Sequence, residues 1–176
     1  MLEAIISSKT RIKLLLKFFL NSNTSGYLRG LQQEFGESSN GIRIELNRFE
    51  KSGLLNSYHV GNKKYFKSNT NHPLYNEIHS IILKYVGFDK LIETVIENLG
   101  KLKMVYVIGD FAKGIDGKKI ELIFIGDIDK AYLKKLIVKA KKLIGRKIEY
   151  RVYDDSMKMD LTSFPNEPLL LWQEDE

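Results

Sequence analysis

One stretch of this 176-residue sequence combines a helical spacing with side chains that hydrogen-bond nucleic acids. Ile42, Leu46 and Phe49 recur at the i, i+4, i+7 interval that buries one side of a helix. The other side presents hydroxyl, amide and guanidinium groups, which bond base edges and phosphates. These groups belong to Ser39, Asn40, Arg43, Asn47 and Arg48. The spacing therefore predicts a helix that reads DNA.

The residues before this helix predict a helix-turn-helix. Leu31 and Phe35 lie on an earlier helix, and a Gly36-Glu37 turn with a Ser38-Ser39 cap separates the two helices. The alternative is a purely structural domain, because any helix of a folded protein has a polar outer face.

A basic hairpin follows and argues for DNA binding. Residues 54–60 and 63–67 predict two strands joined by the turn dipeptide Gly61-Asn62. The basic side chains of this wing are those of Lys63, Lys64 and Lys67. We expect them to lie against the phosphate backbone or in the minor groove.

The formal net charge of +6 lies entirely in residues 1–70, which contain 11 Lys and Arg against 5 Asp and Glu. Such an asymmetry is typical of a nucleic-acid-binding segment. The remaining 106 residues contain 17 basic and 17 acidic side chains. Because that part is neutral in sum, the sequence predicts that its partner is not DNA.

Composition limits the compartment and the chemistry. The chain has no Cys, which excludes disulfides and thiolate metal sites and favours a reducing cytoplasm. Its longest apolar cluster, residues 14–20, is interrupted by Lys17 and is far shorter than a membrane span. The three histidines lack the spacing of a zinc site. We expect a cytoplasmic protein without a cofactor, a metal or a membrane partner.

The second half predicts a small layered domain. Its pattern is helix, strand, strand, helix, strand, with strands at 104–108, 120–125 and 147–153 and a helix at 129–144. The fold class expected for the whole chain is α+β with two domains, 1–86 and 87–176. The lysines of residues 130–142 are either a solvated helix face or an anion-binding surface.

Residues 105–129 resemble the minimal, antitoxin-type nucleotidyltransferases. The resemblance is carried by Gly109, Ala112, Lys113 and Gly114, and by the strand exit Gly126-Asp127. With the winged helix, the chain looks like prokaryotic transcriptional regulators that fuse an ArsR-like winged helix to such a domain. The resemblance implies that Gly109, Lys113 and Gly114 could bind a nucleotide effector.

The departures from that family predict a domain without catalytic residues. Nucleotidyl transfer needs two carboxylates two residues apart on a strand to hold divalent metals. Those positions read Lys119 and Glu121, and the family's Gly-Ser step reads Gly109-Asp110. An ammonium has no lone pair for a metal, and an anion at residue 110 repels phosphate.

Two alternatives to an inactive domain stay open. The first is a divergent nucleotidyltransferase that uses Glu121 with Asp110 or Asp116, with Glu149 as a carboxylate on a later strand. The second is an antitoxin-like module that binds a partner protein.

We also expect a homodimer, because a single winged helix contacts little DNA. One candidate seam is the strongly apolar first helix around Leu16 and Phe19. The other is the helix from Leu74 to Tyr85.

Overall fold

The computed structural model describes residues 2–154 and 160–174. The chain has mixed α and β structure and divides into two compact units, residues 1–85 and 86–176. Each unit contains one sheet. No helix in the described residues is both long enough and apolar enough to cross a bilayer.

The first unit places five helices around a small antiparallel sheet, in the order β1-β3-β2. Its elements are α1 (Leu2–Ile5), α2 (Lys9–Phe19), β1 (Ser25–Tyr27), α3 (Leu28–Phe35), α4 (Ser39–Lys51), β2 (Leu55–Val60), β3 (Lys63–Ser68) and α5 (Tyr75–Val86). The last residue of α5, Val86, falls in the second unit.

The predicted helix-turn-helix and hairpin are confirmed. Gly36, with a φ of +64°, ends α3, and the Ser38 hydroxyl accepts a hydrogen bond from the Gly41 amide at the start of α4. The apolar stripe of α4 is buried as predicted, since Ile42, Leu46 and Phe49 are all buried. Strands β2 and β3 pair from Leu55↔Ser68 to Val60↔Lys63, which leaves residues 61 and 62 as the turn.

The apolar helix α2 forms the centre of the first unit. Leu14, Leu16, Phe18 and Phe19 are each at most 1% exposed. The prediction of a dimer seam around Leu16 and Phe19 is therefore wrong, because the single chain already covers both side chains. A helix that is apolar on nearly all sides is here an internal helix.

A buried carboxylate joins α2 to α4. Glu45 is 5% exposed and accepts two hydrogen bonds from the Arg11 guanidinium, at 2.9 and 3.1 Å. Arg48 donates a third, at 3.1 Å. Burial raises the pKa of Glu45, but the hydrogen bonds and charge of Arg11, with the charge of Arg48, outweigh it and hold the pKa below its usual value.

The second unit has a four-stranded sheet in the order β6-β5-β4-β7. Its elements are α6 (Phe88–Thr94), β4 (Leu102–Ile108), β5 (Lys119–Gly126), α7 (Lys130–Ile144), β6 (Lys147–Tyr153) and β7 (Leu169–Gln173). Strands β5 and β6 are parallel and are connected through α7, whereas β4 pairs antiparallel with β5 and β7.

The predicted strands and the predicted helix of this unit form, with two differences. The apolar spacing from Phe88 to Leu99 predicts one helix. In the structure α6 ends at Thr94, and a 3-10 turn follows at Ile96–Asn98. The helical spacing of the apolar residues also predicts that Leu143 lies on the inner face of α7, but this side chain is 57% exposed. It lies in the last turn of α7, next to Lys141 and Lys142.

Glu45→Gln should lower the free energy of unfolding by about 1–3 kcal/mol at neutral pH, because Arg11 loses its anionic partner. Since the pKa of Glu45 is lowered by folding, its contribution exists above the ordinary pKa and disappears as pH falls through the folded value. Urea unfolding at pH 7 and pH 3 measures this difference, with the exposed Glu97→Gln as control. An equal loss of stability at both pH values would contradict it.

Candidate functional site

A groove with basic walls and an apolar floor lies between α3, α4 and the hairpin. It encloses about 450 Å³. We call it the basic groove, and its lining comprises Tyr27, Leu28, Arg29, Arg43, Leu46, Asn47, Asn62, Lys63, Lys64 and Phe66. No acidic side chain lines it, so the groove suits an anion.

Three elements place the polar side chains of the basic groove. Arg43 and Asn47 are one turn apart on the exposed side of α4, and each directly follows a buried apolar residue, Ile42 or Leu46. Arg29 lies in the first turn of α3, and Lys63 begins β3 beside the turn at Asn62.

Some of these cations have no carboxylate partner. Within residues 2–154 and 160–174, neither Arg29 nor Arg43 forms an ion pair, and both side chains are exposed. The Lys63 ammonium lies 4.7 Å from the centre of the Tyr27 ring, which holds the charge at the rim by a cation–π contact.

Other predicted DNA contacts already have anionic partners. Lys64 donates to Glu50 at 2.7 Å, and Ser57 donates to the other oxygen of that carboxylate. Hydrogen bonds from Lys64 and Ser57 hold the pKa of Glu50 below its usual value. Arg48 pairs with Glu45. Lys64 and Arg48 therefore each lie against a carboxylate in the free protein, and Arg48 shares its carboxylate with Arg11.

The remaining predicted residues lie outside the basic groove. Ser39 begins α4 and is half-buried, and Asn40 is exposed beside it. Lys67 pairs with Ser25 in the sheet register, far from the hairpin turn. Arg29 and Asn62 also line the basic groove, although neither is predicted from the sequence as a DNA contact. The signal for Arg29 was its position at the start of the first helix of the helix-turn-helix, where the helix dipole favours an anion.

In the second unit the structure brings Lys119, Glu121 and Glu149 together. The Lys119 ammonium lies 3.0 Å from a Glu121 oxygen and 2.9 Å from a Glu149 oxygen. Glu121 and Glu149 are register partners on the parallel strands β5 and β6. Lys119 and Glu121 share one face of β5 because they are two residues apart.

Lys119 and Glu149 hold each other in the charged state. Hydrogen bonds to Glu149 and then to Glu121 raise the pKa of Lys119. The pKa of Glu149 is lowered to about 2 by hydrogen bonds from Lys147 and Lys119. A divalent cation held by Glu121 and Glu149 would have to displace the ammonium between them, so the cluster does not fit a catalytic metal pair.

The loop between β4 and β5 places the other predicted residues apart from this cluster. Asp116 pairs with Arg146 at 2.7 Å, and Arg146 also donates to the Gly117 carbonyl at 2.8 Å. Lys113 lies in a 3-10 turn that Gly114 ends, and its ammonium lies 3.2 Å from the Asn166 amide. Asp110 is exposed at the start of that turn.

Gly109 is the one ligand-binding candidate that contacts the cluster. Its φ is +72°, and a Cβ there would overlap a carboxylate oxygen of Glu121. The space next to the Gly109 Cα is thus occupied by a side chain of the same chain. The neighbouring cleft, between Glu121, Glu149 and Arg151, encloses only about 180 Å³.

No protein-family model and no curated protein matches this sequence. Among solved structures, reduced HlyU from Vibrio cholerae N16961 is similar, with a TM-score of 0.35 and 15% identity. The match covers 52% of this chain and 81% of that chain. A likeness of this size identifies neither a family nor a function.

Proposed function

We propose that this protein binds double-stranded DNA through the basic groove and regulates transcription. The observation that carries the proposal is the set of cations without carboxylate partners, Arg29, Arg43 and Lys63, around the exposed side of a helix-turn-helix. An unpaired guanidinium binds a phosphate or a guanine edge without first breaking an internal ion pair.

The side chains divide by the contacts they suit. Arg43 and Asn47 project from the middle of α4 and are suited to base edges in the major groove. Arg29 and Lys63 flank them from α3 and the hairpin and are suited to phosphates. Lys64 contributes only when a phosphate displaces Glu50 from it.

The second unit, in this proposal, is a nucleotidyltransferase-like domain that no longer transfers nucleotides. Support comes from the Lys119 ammonium between Glu121 and Glu149, and from the pairing of Asp116 with Arg146. Such a domain would sense a ligand or mediate dimerisation. A partner protein, as for an antitoxin-like module, is the other role compatible with it.

We further propose a homodimer through α5. Leu74 and Ile81 are 55% and 46% exposed, and with Ile78 and Tyr85 they form a stripe with the 4-3-4 spacing of a coiled coil. Seven residues apart, Glu77 and Lys84 flank one side of this stripe. In an antiparallel pair of α5 helices, Glu77 would face the partner's Lys84 on both sides of the two-fold axis.

Arg43→Ala should weaken binding to a specific DNA site by about 1–3 kcal/mol and relax base preference, because it removes a side chain suited to a base edge. Lys63→Ala should weaken all sequences alike and reduce the salt slope by about one unit. Gel-shift titrations at several salt concentrations, with the promoter fragment of the protein's own gene and a scrambled duplex, measure both effects. Unchanged binding of both variants would refute the proposed interface.

Glu50→Gln should change DNA affinity in the opposite direction to Arg43→Ala and Lys63→Ala. The glutamine carbonyl can still accept from Lys64 while its amide NH2 donates to the Ser57 hydroxyl, and the substitution removes the charge that competes with phosphate. We expect tighter binding to every duplex and a salt slope about one unit larger. Glu93→Gln, which frees Lys90 on the second unit, is the matched control for net charge. Weaker binding of Glu50→Gln would mean that Glu50 only braces the hairpin.

Lys84→Glu and Glu77→Lys should each weaken dimerisation, by about tenfold, because each single reversal places like charges opposite one another. The double variant, with both reversals, should restore it. Sedimentation equilibrium of the three variants and the wild type measures the dissociation constant. A monomeric wild type at micromolar concentration, or a double variant no tighter than the singles, would contradict the α5 dimer.

The wild-type protein should show no nucleotidyl transfer in a labelled-triphosphate assay with Mg²⁺ or Mn²⁺, because losing a metal ligand removes the main electrostatic contribution to catalysis. The double substitution Asp110→Ser with Lys119→Asp tests whether the fold still supports the chemistry. Robust transfer by the wild type that disappears in Glu121→Ala would refute the inactive-domain proposal.

A further inference from the structure

The outer face of α7 concentrates positive charge in the second unit. Residues 130–144 contain no Asp or Glu. They include six lysines, Lys130, Lys134, Lys135, Lys139, Lys141 and Lys142. We call the exposed side of α7 that carries Lys134, Lys135, Lys139 and Lys142 the lysine face.

Ion pairing distinguishes the α7 lysines from five basic residues elsewhere in the unit. Lys90, Lys101, Lys119, Arg146 and Lys147 each pair with a carboxylate at 3.0 Å or less. None of the six α7 lysines forms an ion pair with any described part of the chain. The carboxylates that form these ion pairs thus neutralise bases outside α7.

The neutral sum of residues 71–176 therefore conceals a segregated charge. The four ammonium groups of the lysine face repel one another at low salt because no carboxylate lies among them. A bound polyanion reduces that repulsion. The prediction that this half does not bind DNA rests on its net charge. A net charge does not show which basic side chains form ion pairs.

The dimensions of the lysine face suit a phosphate backbone. From Lys134 to Lys142 the helix rises about 12 Å, at about 1.5 Å per residue. One DNA strand presents a phosphate about every 3.4 Å along the axis, so this length faces about three or four phosphates. Val138, 49% exposed among the lysines, adds apolar surface but no hydrogen-bonding group that would read a base.

We infer that the lysine face of α7 is a second, sequence-independent contact with the phosphate backbone of duplex DNA. The inference rests on the proposed function of the first unit, because a chain already bound to DNA brings the lysine face to it at high effective concentration. Its contribution is counterion release, which strengthens binding to every sequence and falls steeply with salt.

The experiment compares full-length variants on a short duplex of arbitrary sequence, by fluorescence anisotropy across a salt series. The face variant carries Lys135→Gln, Lys139→Gln and Lys142→Gln, which are exposed positions where glutamine preserves helix propensity. The matched control carries Lys90→Gln, Lys101→Gln and Lys118→Gln, with the same change in net charge. A third variant replaces the three α7 lysines by arginine.

We expect the face variant to lower the salt slope by about two to three units, and the control and arginine variants to keep the wild-type slope. Circular dichroism confirms that each variant is folded. Equal slopes for the face variant and the wild type would overturn the inference, and so would an equal reduction in the control. Arg43→Ala and Lys63→Ala, tested in parallel, separate the two proposals. If neither substitution alters binding, the basic groove is not the DNA-binding site, and the salt slope of the face variant still tests the lysine face.

Discussion

The bidentate pair between Arg11 and Glu45 determines how the candidate recognition helix is presented. Glu45 lies on the inner side of α4, and Arg43 and Asn47, two residues to either side, point about 160° away from it. Because Arg11 belongs to α2, the pair fixes the rotation of α4 against the most deeply buried helix of the unit. The orientation of the basic groove therefore depends on this ion pair between α2 and α4 as well as on apolar packing.

The local structure could be predicted from spacing because helices and hairpins follow from neighbouring residues. The stripe of Ile42, Leu46 and Phe49 and the Gly61-Asn62 turn determine α4 and the hairpin without distant contacts. The alternation of β5 likewise placed Lys119 and Glu121 on one face. Glu149 joined them only through the parallel register of β5 with β6, which no local pattern contains.

Which cations are available to a ligand could not be predicted, because pairing depends on contacts between residues far apart in sequence. Arg11 and Glu45 are separated by 34 positions, and Glu50 and Lys64 by 14. From the sequence, Lys64, Arg48 and Arg43 are equally good candidates for DNA binding. Among these three, only Arg43 lacks a carboxylate partner in the described residues. The same limit made a neutral half appear uniform and hid the unpaired lysines of α7.

Gly109 shows that a glycine resembling part of a ligand-binding motif can have a packing role within its own chain. A glycine at the end of a strand is usually taken as room for a ligand to approach the backbone. Here the vacant volume is filled by the Glu121 carboxylate, which in turn holds the Lys119 ammonium. Any larger residue at position 109 would disturb an internal ion triad whether or not a nucleotide ever binds. The contact with Glu121 alone is enough to require a glycine at this position, so the glycine by itself does not indicate a bound nucleotide.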